Sequence, residues 1–262
     1  TARARDVRLG LVLGLAVLLA VGLVAHVPYL NGPWYWDWPW RRIGFARIVP
    51  GMVLAAIPFA VAQWGYGKGR WGVRGALLLV ALSAFLLELV AIGVQGPGFD
   101  LRRIVLAVQS PVITSYFTDA MEFGSVGEGL AHYPERMAGF HLHSINKPPG
   151  PILYYVTWIR ALGPALGALL GGLGIGLLGA AGVAGTYGLA RRFGAGPDAS
   201  FAAASYLALC PGLILFFPEF DQAYPLLCCG LLGAWSLALE RRSRAAALAF
   251  GGLLWLLSFL SF

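Results

Sequence analysis

What most limits this chain is a series of long apolar blocks, roughly Leu9–Val27, Ile48–Trp64, Gly75–Val94, Pro164–Ala190, Ala199–Phe217, Gln222–Leu239 and Ala245–Phe262. A helix needs about 20 residues to cross the hydrocarbon of a bilayer, and these blocks approach or reach that length. No ten-residue alternation of apolar and polar positions runs through them, so helices are expected rather than a β-barrel. Apolar residues make up 58% of the chain and charged residues only 12%. A water-soluble domain carries about 25% charge, so that class is excluded. The expected fold is all-α and polytopic, with about seven or eight membrane segments and an exterior loop bearing interfacial helices.

Three parts follow from the block pattern: N-terminal transmembrane helices over 1–95, an exterior loop over 96–150, and a transmembrane core over 151–262. Thr1 at the start and Phe262 inside an apolar run are what a portion of a longer protein would show. Arg3, Arg5 and Arg8 ahead of an apolar run have the look of a signal peptide, but Ala25-His26-Val27-Pro28 is a poor cleavage site, so a retained first helix is expected. The net charge of +7 does not mark a nucleic-acid binder. Its arginines sit at block ends, as Lys68/Arg70/Arg74, Arg191/Arg192 and Arg241/Arg242/Arg244, the pattern of cytoplasmic topology signals. Cys210, Cys228 and Cys229 fall within apolar blocks and form neither a disulfide framework nor a metal spacing.

The same arginines set an orientation. With the N-terminus and Lys68/Arg70/Arg74 cytoplasmic, the third block exits and 95–150 lies outside. Residues 151–162 rise only about 18 Å as a helix, short of a core of about 30 Å. A segment that dips into the membrane there, rather than crossing, puts Arg191/Arg192 and Arg241–Arg244 inside. It also puts Pro218-Glu219-Phe220-Asp221 on the outer side with Asp119 and Lys147.

The outer residues carry the chemistry. Trp34-Tyr35-Trp36-Asp37-Trp38-Pro39-Trp40 reads as an interfacial aromatic anchor, or as a surface that stacks on a sugar or headgroup. Apolar Ile104, Val105, Val108, Val112 and Ile113 suggest a helix lying along the membrane surface. If 116–123 is helical, Tyr116, Asp119 and Glu122 share a face. Two carboxylates so placed suit a general base with its orienting neighbour, or a divalent cation; a solvated acidic turn has the same spacing. In Asn146-Lys147-Pro148-Pro149-Gly150-Pro151 the prolines stiffen the backbone around Lys147. An ammonium at the start of an apolar segment lies at the depth of lipid phosphates, which lysine binds as a point charge; a snorkelling lysine is the plainer alternative. Arg102, Arg103 and Arg136 are further phosphate-binding candidates. His141 and His143 lack a third ligand at a zinc spacing.

Tyr116-Phe117-Thr118-Asp119-Ala120, then Lys147-Pro148-Pro149 leading into Leu153-Tyr154-Tyr155, then Leu189-Ala190-Arg191-Arg192-Phe193-Gly194 resemble the GT-C superfamily of polyprenyl-phosphate-dependent glycosyltransferases. The bacterial relatives of protein O-mannosyltransferases and of lipid A aminoarabinose transferase are the nearest groups. The similarity covers roughly 110–239. It implies a multi-pass plasma (inner) membrane enzyme with its site on the non-cytoplasmic face, a polyprenyl-phosphate-linked sugar as donor, and membrane lipids around it. By the resemblance, Asp119 is the loop acid and catalytic residue; Glu122 is the supporting acid by its spacing, three residues on where many relatives have the two acids adjacent. Lys147 is the basic position of the Pro-Pro motif, and Asp221 an acid after a later exterior turn; His143, Tyr116, Arg102 and Arg103 complete the expected substrate contacts. A transporter using Glu88 as its intramembrane carboxyl, or a non-catalytic membrane subunit, are the other classes this sequence allows.

Overall fold

The structure is a computed structural model that describes residues 45–96, 98–261, 14–23 and a few single positions before residue 31. The chain divides into two units, Thr1–Gly44 and Phe45–Phe262. In the first, α1 is the apolar helix Gly14–Leu23; the charged N-terminus and the aromatic run with Asp37 lie outside the described residues. All regular structure among the described residues of the second unit is helical.

Helices α2 (Phe45–Gly67) and α3 (Val73–Gly93) pack as an antiparallel pair, Gly51 lying against Val90 and Gly65 against Trp71. Four short helices follow: α4 (Arg102–Val108), α5 (Tyr116–Met121), α6 (Val126–Ala131) and α7 (Tyr133–Met137). The surface helix expected over 104–113 stops at Val108 instead. Its buried residues Ile104 and Val108 lie against Gly172 of the next long helix, while Val112 and Ile113 are exposed.

That helix, α8 (Gly150–Arg192), organises the unit. Its 43 residues are not one rod, because Gly163 has φ 77° and ψ 170°. Tyr154 Oη donates to the Gly171 carbonyl at 2.8 Å. Along a straight helix those residues would be about 25 Å apart at 1.5 Å per residue. Gly167 also lies against the backbone of Trp158 and Ile159, and Gly171 against the Tyr155 ring. So α8 is a fold-back, with arm 150–162 lying antiparallel on the start of arm 164–192. Pro164 has no N–H to give and keeps its predecessor out of the α region. Glycine is the residue that takes the φ and ψ this reversal requires.

Two further differences from the block pattern have local causes. The block over 199–217 is broken: α9 (Pro197–Ala208) ends, Cys210 is extended, and α10 (Pro211–Leu215) begins anew. Pro211 disfavours helical geometry at the residue before it. Then come a cis Phe217–Pro218 bond, the 3-10 turn Phe220–Ala223, α11 (Tyr224–Arg241) and α12 (Arg244–Leu260). Among the described residues five helical stretches are long and apolar enough to cross a membrane; Gly14–Leu23 and Arg244–Leu260 are shorter.

Arm 164–192 presents a glycine face. Gly172 meets Pro218, Gly176 meets Phe217 and Glu88, Gly179 meets Leu213, and Gly182 meets Pro225 and Leu207. Small residues let helices approach where lipid supplies no hydrophobic drive between them. Ile104, Phe117, Ile152, Tyr155, Phe217 and Phe220 are buried in the core cluster around the fold-back. At the opposite end Arg192 pairs with Glu240 at 2.6 Å and Tyr66 Oη donates to Asp198 at 2.9 Å, which gathers several arginine-bearing turns together.

Gly163→Ala should test the reversal. Nothing lies within 4 Å of where its Cβ would stand, so the penalty is conformational alone, about 1–3 kcal/mol for a residue forced into this region. Thermal unfolding in detergent should show a lowered midpoint; an unchanged midpoint would mean that the fold-back does not depend on glycine.

Candidate functional site

The loop helices are fastened to one another by buried polar contacts. Ser115, with φ 57° and no exposure, accepts from the backbone N–H groups of His143 and Ser144, both at 3.1 Å, and its hydroxyl meets Ser144 Oγ at 3.1 Å. A non-glycine residue held at positive φ costs of order 1–3 kcal/mol, and these bonds are what hold it. Three residues on, the Asp119 side chain is only 2% exposed. Its carboxylate meets His141 Nδ1 at 2.7 Å and accepts from the His141 backbone N–H at 3.3 and 3.4 Å. Asp119 thus clamps α5 onto the stretch 141–147. Glu122 does not share its face: α5 ends at Met121, Glu122 is the exposed C-cap, and Gly124 turns the chain with φ 71°.

Lys147 has φ −121° and ψ 151°, the extended geometry a residue before proline takes. Its carbonyl accepts from Tyr133 Oη at 2.9 Å, and its Nζ donates to Ser261 Oγ at 3.0 Å. Asp221 Oδ1 stands 3.9 Å from that Nζ. The ammonium therefore joins the Pro-Pro turn, the 3-10 turn after α10, and the end of α12. Gly150 lies directly against the Phe259 carbonyl there, a contact that leaves no room for a Cβ.

Lys147 lines a cavity of about 550 Å³. Tyr116, His143, Glu219, Asp221 and Gln222 complete its polar side; Leu207, Leu213, Phe216 and Pro225 form an apolar wall. Gln222 is held from behind by the donation of its Nε2 to the Leu213 carbonyl. Burial pushes the Glu219 carboxyl up to about 8, with neighbouring Asp221 adding to the shift. Burial, with Asp221 second, also holds the Tyr116 phenol far above its ordinary range. At neutral pH the polar side therefore presents a protonated Glu219 beside Lys147 and Asp221, whose side chain is 70% exposed.

Of the residues expected from sequence, Tyr116, His143, Lys147 and Asp221 come together here, and Asp119 and Glu122 do not line the cavity. Arg102 is bound to Asp100 at 2.9 Å, and Arg103 folds over Gly96. Arg136 donates to the carbonyls of Glu122 and Phe123. Sequence reasoning missed Glu219, Gln222, Ser115 and Ser261. The signal for Glu219 was present, as the first of two acids flanking Phe220 between two apolar blocks. Among the described residues no three His, Cys, Asp or Glu side chains cluster as a metal site. Comparison with family models, curated proteins and solved structures finds no match to this chain.

Glu219 gives the site a pH signature. In the unfolded chain this carboxyl ionises near 4.5, and in the folded one near 8. Between those values the folded state holds a proton that the unfolded state has released, so stability falls as pH rises through that window and levels off above it. Glu219→Gln should flatten this slope in unfolding midpoints measured from pH 5 to 9. A slope that survives the substitution would place the responsible group elsewhere.

Proposed function

We propose that the chain belongs to a multi-pass membrane glycosyltransferase of the plasma membrane. It would move a sugar from a polyprenyl-phosphate donor to an acceptor hydroxyl, with its site on the non-cytoplasmic face. The observation that carries this reading is the two-sided cavity: an apolar wall from Leu207, Leu213, Phe216 and Pro225 faces a polar side built on Lys147, Asp221 and Glu219. A ligand with a hydrocarbon tail and a charged, hydroxyl-rich head matches both sides, and the GT-C resemblance names such a donor.

In this reading the acceptor oxygen attacks the anomeric carbon, the bond from that carbon to the phosphate oxygen breaks, and polyprenyl phosphate departs. Asp221, whose side chain is exposed to the cavity, takes the acceptor proton. Lys147 neutralises the charge that develops on the departing phosphate, an electrostatic role that preorganised cations fill in many active sites. Protonated Glu219 donates to a phosphate or sugar oxygen. Asp119, assigned by the resemblance to the acceptor, is a positioning residue here: both its oxygens are engaged by His141, and through 141–147 it fixes where Lys147 stands.

A second reading is favoured by one observation. Glu88 is fully buried in α3, and both carboxyl oxygens lack a hydrogen-bond partner. An ionisable side chain at such depth is what a transporter uses. Proteoliposomes separate the two, because a transporter moves labelled substrate across the bilayer unmodified, whereas the transferase joins it to an acceptor.

Transfer from a short-chain polyprenyl-phosphate sugar checks the roles. A general base contributes about 10²–10⁴-fold in rate, so Asp221→Asn should lower kcat by that order with donor binding kept. Hydrogen bonds between charged groups are worth about 1.5–3 kcal/mol, so Lys147→Ala should weaken donor binding roughly 10- to 150-fold, with Lys147→Arg restoring only part. Full kcat in Asp221→Asn alongside its loss in Asp119→Asn would return the base to Asp119. Unchanged donor affinity in Lys147→Ala would place the phosphate elsewhere.

A further inference from the structure

A second concavity lies on the opposite side of the chemistry. Between α3 and arm 164–192 runs a groove of about 630 Å³ whose walls are apolar apart from Arg74 at one end. Of its lining, Ala81, Ala180 and Ala181 are buried or half-buried, and Leu78, Leu82 and Ala184 are exposed at its edge. It shares Phe85 and Leu177 with a further apolar hollow of about 740 Å³ that reaches Arg102. The two hollows have no lining residue in common with the Lys147 cavity.

Length and charge say what fits. From Arg74 to Phe85 is eleven residues, about 16 Å of helix rise, close to half of a hydrocarbon core of about 30 Å. The groove is therefore one leaflet deep, with Phe85 at its inner limit. The arginines at the two far ends differ. Arg102 is neutralised by Asp100, through an ion pair at 2.9 Å and hydrogen bonds from Nε at 3.0 and 3.1 Å. Arg74 has no carboxylate within ion-pair distance among the described residues. Lys68 and Arg70 adjoin it in the turn between α2 and α3, the Arg70 guanidinium stacked 4.6 Å over Trp64. A phosphate at that end meets uncompensated positive charge, which attracts anionic headgroups; at the Arg102 end it meets a closed pair.

We propose that the groove between α3 and α8 is a binding site for one anionic phospholipid, its acyl chains on Ala81, Ala180 and Ala181 and its phosphate on Arg74. The occupant packs α3 against α8 from the lipid side, and it reads charge only at the Arg74 end.

The test uses the full chain in nanodiscs of phosphatidylcholine containing a minor fraction of phosphatidylglycerol, with native mass spectrometry counting the lipids that remain bound. The parent should retain one phosphatidylglycerol in preference to phosphatidylcholine. Arg74→Gln should lower that preference roughly tenfold or more, and Arg102→Gln should leave it unchanged. Ala181→Trp, filling the groove, should release that lipid; Ala81→Phe does the same from the facing helix should the tryptophan variant fail to fold. Equal retention in the parent and Arg74→Gln overturns the proposal, as does equal loss in Arg102→Gln. Retention of the lipid by a folded groove-filling variant also overturns it, because the lipid would then be held elsewhere.

Discussion

Everything in the larger unit depends on the reversal of α8 at Gly163. The arm 150–162 is about 20 Å of helix at 1.5 Å per residue, too short to cross a hydrocarbon core of about 30 Å. Because it turns back, it lies along arm 164–192 and supplies Tyr154, Tyr155 and Trp158 as a packing surface on glycines 167, 171 and 174. The same reversal sets the end of α12 against Gly150, and it leaves α4 and the turn at 217–218 to close over Gly172 and Gly176. A rod of 43 residues would carry the Pro-Pro turn away from all of these elements.

The site follows from that packing. Lys147 stands where the stiff turn enters the short arm, and its ammonium is fixed by contacts from two elements distant in sequence, Ser261 and Asp221. The loop behind it is held by the Ser115 and Asp119 clamps, whose oxygens are saturated by backbone and imidazole donors. Polar groups buried this way are costly unless fully bonded, and once bonded they fix geometry. What remains open is the cavity, with Leu207, Leu213, Phe216 and Pro225 on its apolar side and Lys147, Glu219 and Asp221 on its polar side. Polar order on one side and hydrocarbon on the other is the arrangement a lipid-linked phosphate requires.

Much of this was legible in the sequence. Apolar length identified α2, α3, arm 164–192 and α11 closely, and the extended backbone at Lys147 followed from Pro148. The meeting of Lys147 with Asp221 agrees with the grouping of 95–150 and 219–221 that the arginines suggested, although sidedness itself is not a property of the isolated fold. The break at Gly163-Pro164 was marked by the shortness of 151–162 and by the rule that proline excludes helix before it, although hydropathy alone is apolar on both sides and does not show the chain turning back. Hydropathy likewise hid the break at Cys210-Pro211. Asp119 was readable as an important acid but not as a clamp, since its partner is a backbone N–H and an imidazole twenty-two residues on. Glu219 was overlooked because its environment comes from elements distant in sequence.

The central claim is that the cavity bearing Lys147 holds the head of a lipid-linked phosphate. Photo-crosslinking with a polyprenyl phosphate carrying a diazirine on its first isoprene unit, followed by peptide mapping, tests it most directly. The account predicts label on the 207–225 segment, competed away by unlabelled polyprenyl phosphate. Label confined to α3 and the outer face of α8, with none on 207–225, would contradict it.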